Sequence, residues 1–198
     1  MIRIKKDSDH AIIVVHEIYG INKHMEYVCK SLSKYGFDVF CPNLLTRSTP
    51  FDYLQEEDAY LNFMENVGFE NAAVTVKRLL TNIRDDYKKI VVVGFSAGAT
   101  VAWLCSEERL VDGVIGYYGS RIRSYMETSP RCPVLLFFPQ EEKSFHVDEL
   151  LPALNNINNV EAHQMSGHHG FSDPYSPHYN EDSANRALNR MLVFLREK

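Results

Sequence analysis

Ser96 stands in Gly94-Phe95-Ser96-Ala97-Gly98, a G-x-S-x-G pattern. A serine hydroxyl attacks an acyl carbonyl only when a base takes its proton, and that base is usually an imidazole held by a carboxylate. Eight histidines are available. His10, His16, His24, His146 and His163 fall in or beside expected strands and helices, which favours structural roles. His178, between Pro177 and Tyr179, is a weaker candidate base. His168 and His169 lie in the glycine-rich run Ser166-Gly167-His168-His169-Gly170-Phe171. His169 is the expected base, because Gly170 lets the chain turn and Phe171 can anchor it; His168 is the alternative. The acid is expected just after the apolar run 133–138, where Glu141 and Glu142 stand side by side. Glu142 is favoured, Glu141 remains open, and Asp148 lies farther on in an expected helix. Two backbone N–H groups complete such a site by receiving the developing oxyanion. Ala97, the residue after the serine, is one. Ile18, in a loop after an earlier strand, is assigned the other by topology.

These groups need a scaffold that brings strand ends together. Residues 90–93 are apolar and β-branched, which reads as a buried strand running into the serine. A helix is expected over 97–108, and its free N-terminal N–H groups would face the serine. A turn this sharp strains the backbone, and a side chain two residues to either side would meet neighbouring chain, so both places favour glycine. Further strands are expected over 1–6, 11–16, 37–41, 110–118, 133–138 and 160–165. Helices are expected over 23–35, 54–64, 70–87, 121–128, 147–156 and 180–197. Residues 139–144 and 166–171 are expected as loops. Strands alternating with helical-period segments indicate an α/β fold with a mostly parallel central sheet flanked by helices on both faces. Serine, acid and histidine then follow in α/β-hydrolase order, each after a strand.

At 198 residues the chain suits one domain, residues 1–198, with a sizeable core. Its net charge of −5 and lack of a long basic run argue against nucleic acid and anionic membranes as partners. The apolar runs are too short to span a bilayer, and the N-terminus lacks a signal-peptide core. Four cysteines without C-x-x-C spacing read as small hydrophobes in a reducing compartment. A cytoplasmic protein without a structural zinc is expected, its oligomeric state unreadable and a monomer favoured.

Four segments together resemble the dienelactone hydrolase family of α/β-hydrolases. His16-Glu17-Ile18-Tyr19-Gly20 is similar to its H-E-x-[FY]-G loop, and Gly94 to Ala99 to its G-[FY]-C-x-G-G elbow. Pro42-Asn43-Leu44 with Arg47 resembles its P-D-L segment, and His169-Gly170-Phe171 its H-G-F loop. The resemblance implies Ser96 as nucleophile, Glu142 as acid, His169 as base, and Ile18 and Ala97 as oxyanion donors. It also places Glu17 near the nucleophile, where with Tyr19 it would contact substrate or order the loop. The departures are informative. Serine replaces the family's cysteine, Glu replaces the usual Asp, and Pro139 and Ala99 replace glycines. The founding enzymes bind a substrate carboxylate with arginines, one of them four residues after the histidine; here that position is Asp173.

The expected activity is hydrolysis of a small ester or lactone, with no metal or organic cofactor. Aromatics in candidate pocket loops (Tyr19, Phe95, Tyr118, Phe171, Tyr175) suggest a partly apolar site. An acyltransferase would use the same groups, and a non-catalytic binding protein on this scaffold is the other alternative.

Overall fold

The computed structural model describes residues 1–143 and 145–197. Ser144, the last residue of the expected loop 139–144, lies outside them. Among the described residues seven strands form one sheet: β1 (Ile2–Ile4), β2 (His10–Val15), β3 (Asp38–Cys41), β4 (Lys89–Phe95), β5 (Gly113–Tyr117), β6 (Val134–Glu141) and β7 (Val160–His168). Their order is β1-β3-β2-β4-β5-β6-β7. Only β1 runs antiparallel, against β3. The connections step outward from β2 in one direction to β3 and in the other to β4. That reversal opens a crevice at the C-terminal ends of β2 and β4, where α/β sheets of this kind bind ligands.

The strands are apolar on both sides because helices cover both faces. Alternation along β2 shows this directly. Ile13 and Val15 join one core with the helices α2 (Glu56–Asn66), α3 (Phe69–Ile83), α4 (Ala97–Cys105) and α5 (Val147–Asn155). Ile12 and Val14 join the other with α1 (Lys23–Lys34) and α6 (Glu181–Glu197). The α1 stripe is Met25, Val28, Cys29 and Leu32, an amphipathic spacing, and Asn22 caps that helix by accepting from the Met25 N–H.

The observed elements match the expected ones with three physical corrections. The segment expected as a helix over 121–128 is a 3-10 turn, Ser120–Ser124. The other two concern the sheet. β6 continues past Pro139 to Glu141, and β7 continues through Gly167 to His168, where loops were expected. A proline lacks the ladder donor and reads as a strand end, but it is tolerated where the pairing shifts register. Such a shift lies between Pro139 and Glu141, opposite a positive-φ Gly167.

All four cysteines are buried free thiols. Burial pushes the Cys105 and Cys132 thiols up to about 12. The contact with Cys29, together with burial, holds Cys41 well above its ordinary range.

Asp38, at the start of β3, is a buried carboxylate with a full set of partners. It accepts from the Tyr87 hydroxyl and the Lys6 N–H at 2.6 Å each, and pairs with Lys5 at 3.0 Å. Burial alone would raise its pKa; the partners overcome this and hold it at about 2, against 3.8 when free. The unfolded carboxylate therefore takes up its proton first. Its stabilisation is complete above pH 3.8 and is lost as pH falls toward 2. The shift corresponds to about 2 kcal/mol. We expect Asp38→Asn to be less stable than the parent by about that amount at neutral pH, with the gap in urea midpoints narrowing below pH 3.8. A gap that stays constant down to the acid limit would contradict this.

Candidate active site

β4 delivers Ser96 to the head of α4 on a backbone that non-glycine residues rarely adopt, φ 52° and ψ −116°. Such a residue stores roughly 1–3 kcal/mol of strain and must be held by its surroundings. Its N–H donates to the Tyr117 carbonyl at 2.9 Å, which ties the turn to the end of β5. The two flanking glycines have no room for a side chain. A Cβ on Gly94 would fall 2.0 Å from the Gly98 carbonyl oxygen, and one on Gly98 2.2 Å from that of Val15. Ala99, at the family's second-glycine position, is accommodated because β5 and its exit present Gly116 and Gly119 to its methyl group.

His169 Nε2 lies 2.8 Å from Ser96 Oγ, and His169 Nδ1 lies 2.6 Å from Glu142 Oε1. The three side chains form one hydrogen-bonded line from separate strand ends. Glu142 is almost wholly covered, while His169 is over a third open on its side chain. The continued β6–β7 ladder decides between the neighbouring pairs. Glu141 stands opposite His168 in register, and their side chains lie 3.5 Å apart in solvent, away from Ser96. One residue farther, Glu142 and His169 turn inward. The Tyr118 ring packs 4.8 Å from that of His169, and the Tyr118 hydroxyl shares a 3.0 Å hydrogen bond with Ser172.

The loop after β2 comes alongside. The N–H groups of Ile18 and Ala97 make no other hydrogen bond among the described residues. The loop is fixed at several points. His16, wholly buried, has Nδ1 2.6 Å from the Glu17 carbonyl oxygen, and its Nε2 accepts from the Leu44 N–H at 2.9 Å. Burial drives its pKa down to about 4, so the imidazole is neutral at ordinary pH. The Tyr19 carbonyl accepts from Phe51 N–H, and its ring meets that of Tyr53 edge-on at 4.9 Å.

Behind the loop lies a polar cluster. Glu17 is buried, and although burial opposes its charge, His24 and His169 hold its pKa below the usual range. Asp173 is raised, chiefly by burial, with His24 and a hydrogen bond from Tyr53 opposing. His24 and Tyr53 carry no local sequence signal; only topology brings them beside Glu17 and Asp173. Of the aromatics expected to line a pocket, Phe95, Tyr118 and Phe171 are core residues, whereas Tyr19 is half-buried and Tyr175 is exposed.

The chain matches known proteins along most of its length. The model of the dienelactone hydrolase family matches residues 1–198. YczH of Bacillus subtilis, an uncharacterised protein, is 37% identical over 171 residues, covering 85% of this chain and 84% of its own. The carboxymethylenebutenolidase of Pseudomonas putida is 26% identical over 211 residues, covering 93% and 84%. Among solved structures, a dienelactone hydrolase-like promiscuous phosphotriesterase from metagenomic libraries superposes with a TM-score of 0.73 at 14% identity, covering 94% and 85%. Among the described residues, no helix is long and apolar enough to cross a membrane.

Proposed function

Since the chain belongs to the dienelactone hydrolase family, we propose that it is a serine hydrolase cleaving a small carboxylic ester or lactone on a Ser96–His169–Glu142 triad. The observation that carries this is the unbroken hydrogen-bonded line from Ser96 through His169 to Glu142, set on a strained elbow. Ser96 Oγ attacks the acyl carbon as His169 Nε2 takes its proton. The carbonyl oxygen becomes an oxyanion facing the Ile18 and Ala97 N–H groups. Glu142 orders the ring and stabilises its charged form. The tetrahedral adduct collapses, the C–O bond to the alcohol breaks, and His169 returns the proton to the leaving oxygen. Water, deprotonated by the same nitrogen, then releases the acid and restores Ser96.

Substrate charge follows from the cluster beside the site. Glu17 and Asp173 offer no cation to a substrate carboxylate, and Asp173 holds the position where the founding enzymes place an arginine. An uncharged ester or lactone fits better than one bearing a free carboxylate.

A fluorophosphonate probe is expected to label one serine per chain, because labelling needs an activated hydroxyl. With a short p-nitrophenyl ester, Glu142→Ala is expected to lower kcat/KM at least about a hundredfold, and Glu141→Ala to stay within about twofold of the parent. Absence of labelling would remove the serine mechanism. Equal losses in the two glutamate variants would remove the assignment of the acid.

A further inference from the structure

Three buried side chains beside the elbow take no part in the bond-making and proton-transfer steps above. Glu17 leaves the end of β2, His24 sits in the first turn of α1, and Asp173 follows His169 by four residues. His24 Nδ1 lies 3.7 Å from Glu17 Oε1 and 3.8 Å from Asp173 Oδ2, beyond hydrogen-bond reach of both. The imidazole is wholly inaccessible, and neither of its nitrogens has a hydrogen-bond partner among the described residues. An unsatisfied buried ring between two buried carboxylates is costly, and such a group calls for an explanation. One donor atom from each of the three residues lies within 4.8 Å of the other two.

We propose that Glu17, His24 and Asp173 bind a divalent transition-metal ion, with zinc the best match. Two carboxylates and one imidazole coordinate and neutralise a dication, so the cluster gains no net positive charge for a substrate carboxylate, and the fourth position is left for water. Zinc bonds to nitrogen and oxygen of about 2.0–2.2 Å put tetrahedral ligand atoms roughly 3.4 Å apart. The two His24 distances need to contract by a few tenths of an ångström to reach this, and the Glu17–Asp173 edge, within 4.8 Å, by more. Calcium and magnesium prefer all-oxygen shells and suit the imidazole less well. The supporting groups are in place: the Tyr53 hydroxyl donates to Asp173 Oδ2, Asn22 Nδ2 donates to Tyr53 at 3.2 Å, and the Tyr175 N–H donates to Asp173 Oδ1 at 2.9 Å. A cleft of about 70 Å³ between α1 and α6 is lined in part by His24 and Ser172, so a small local opening of that wall admits an ion to the buried ring. Glu17 adjoins Ile18, and Asp173 shares a loop with His169. The ion would therefore lash together the two loops that carry the oxyanion donor and the base.

The test uses cobalt(II) as a visible stand-in for zinc, added to full-length protein first stripped with a chelator. We expect one equivalent per chain to give visible ligand-field bands, zinc to displace it, and zinc to raise the thermal midpoint. His24→Gln and Asp173→Asn should each abolish the bands, and Tyr53→Phe should weaken affinity about 10- to 100-fold. His168 and His178, whose rings lie 5.3 Å apart at the surface, are the obvious adventitious site. Their double alanine variant should keep the bands. No bands in the parent, bands surviving both His24→Gln and Asp173→Asn, or bands lost in the surface variant would each overturn the proposal. None of these readouts depends on turnover at Ser96, so the site stands or falls separately from the hydrolase reading.

Discussion

Ser96→Ala is expected to lower the initial rate of p-nitrophenyl ester hydrolysis at least about a thousandfold, and His169→Ala to do nearly the same. The two losses are expected to be of similar size because the residues act as a unit: without the imidazole the hydroxyl is a weak nucleophile, and without the hydroxyl the imidazole has nothing to activate. The double variant should therefore be little worse than either single one. A residual rate above water is expected from the backbone donors at Ile18 and Ala97, whose N–H groups neither substitution removes. The folded state should tolerate both changes. Ser96 uses its backbone N–H, not its side chain, to tie the elbow to Tyr117, and His169 is partly open to solvent. Circular dichroism and thermal midpoints near the parent's would accompany the loss. A parent rate no higher than that of Ser96→Ala, in well-folded protein, would leave no role for the hydroxyl in ester cleavage.

The second large effect is on stability. Gly98→Ala places a methyl carbon 2.2 Å from the Val15 carbonyl oxygen and 2.6 Å from that of His16. Both obstacles are backbone, in the central strand β2 and its exit, and no side-chain rotation relieves them. The head of α4 must retreat from the sheet, taking the serine with it. Overpacking usually costs about 1–3 kcal/mol, and a contact this short against rigid backbone should exceed that, reaching about 4 kcal/mol or more. Gly36→Ala is the useful contrast. That glycine has a positive φ but open space around it, so the cost there should be strain alone, about 1 kcal/mol. Urea unfolding of the two variants separates a collision from a conformational preference. Equal destabilisation would show that β2 yields more readily than its burial suggests.

The sequence carried the parts of this molecule that are local. The β-branched run before Ser96, the glycines two residues to each side, and the His169-Gly170-Phe171 turn each express their constraint within a few residues. The alternation of strands and amphipathic helices likewise implied a parallel sheet covered on both faces. The choice between Glu141 and Glu142 was not local. It depends on β6 continuing past Pro139 and β7 past Gly167, so that Glu141 and His168 become a surface pair and the next residues turn inward. Proline and glycine advertise an ending there, and the shifted register that admits them leaves no pattern of its own. The cluster of Glu17, His24 and Asp173 was less legible still. Its members come from three distant segments, and His24 lies on a helix whose apolar spacing offers an ordinary core role.

The state of the sulfur atoms bears on where such a protein can work. Peroxides and electrophiles attack thiolates, and susceptibility tracks both exposure and the ease of ionisation. Here every cysteine is buried, and Cys41, Cys105 and Cys132 are held far from ionisation. The atom proposed to attack substrate is an oxygen, which has no oxidation ladder to climb. A relative relying on a cysteine at the elbow would be silenced by sulfenic acid formation or alkylation. This chain offers those reagents no accessible thiol while folded; peroxide would meet the exposed Met1 and Met64 instead, so the proposed activity is expected to survive an oxidative burst that would stop a thiol-dependent enzyme.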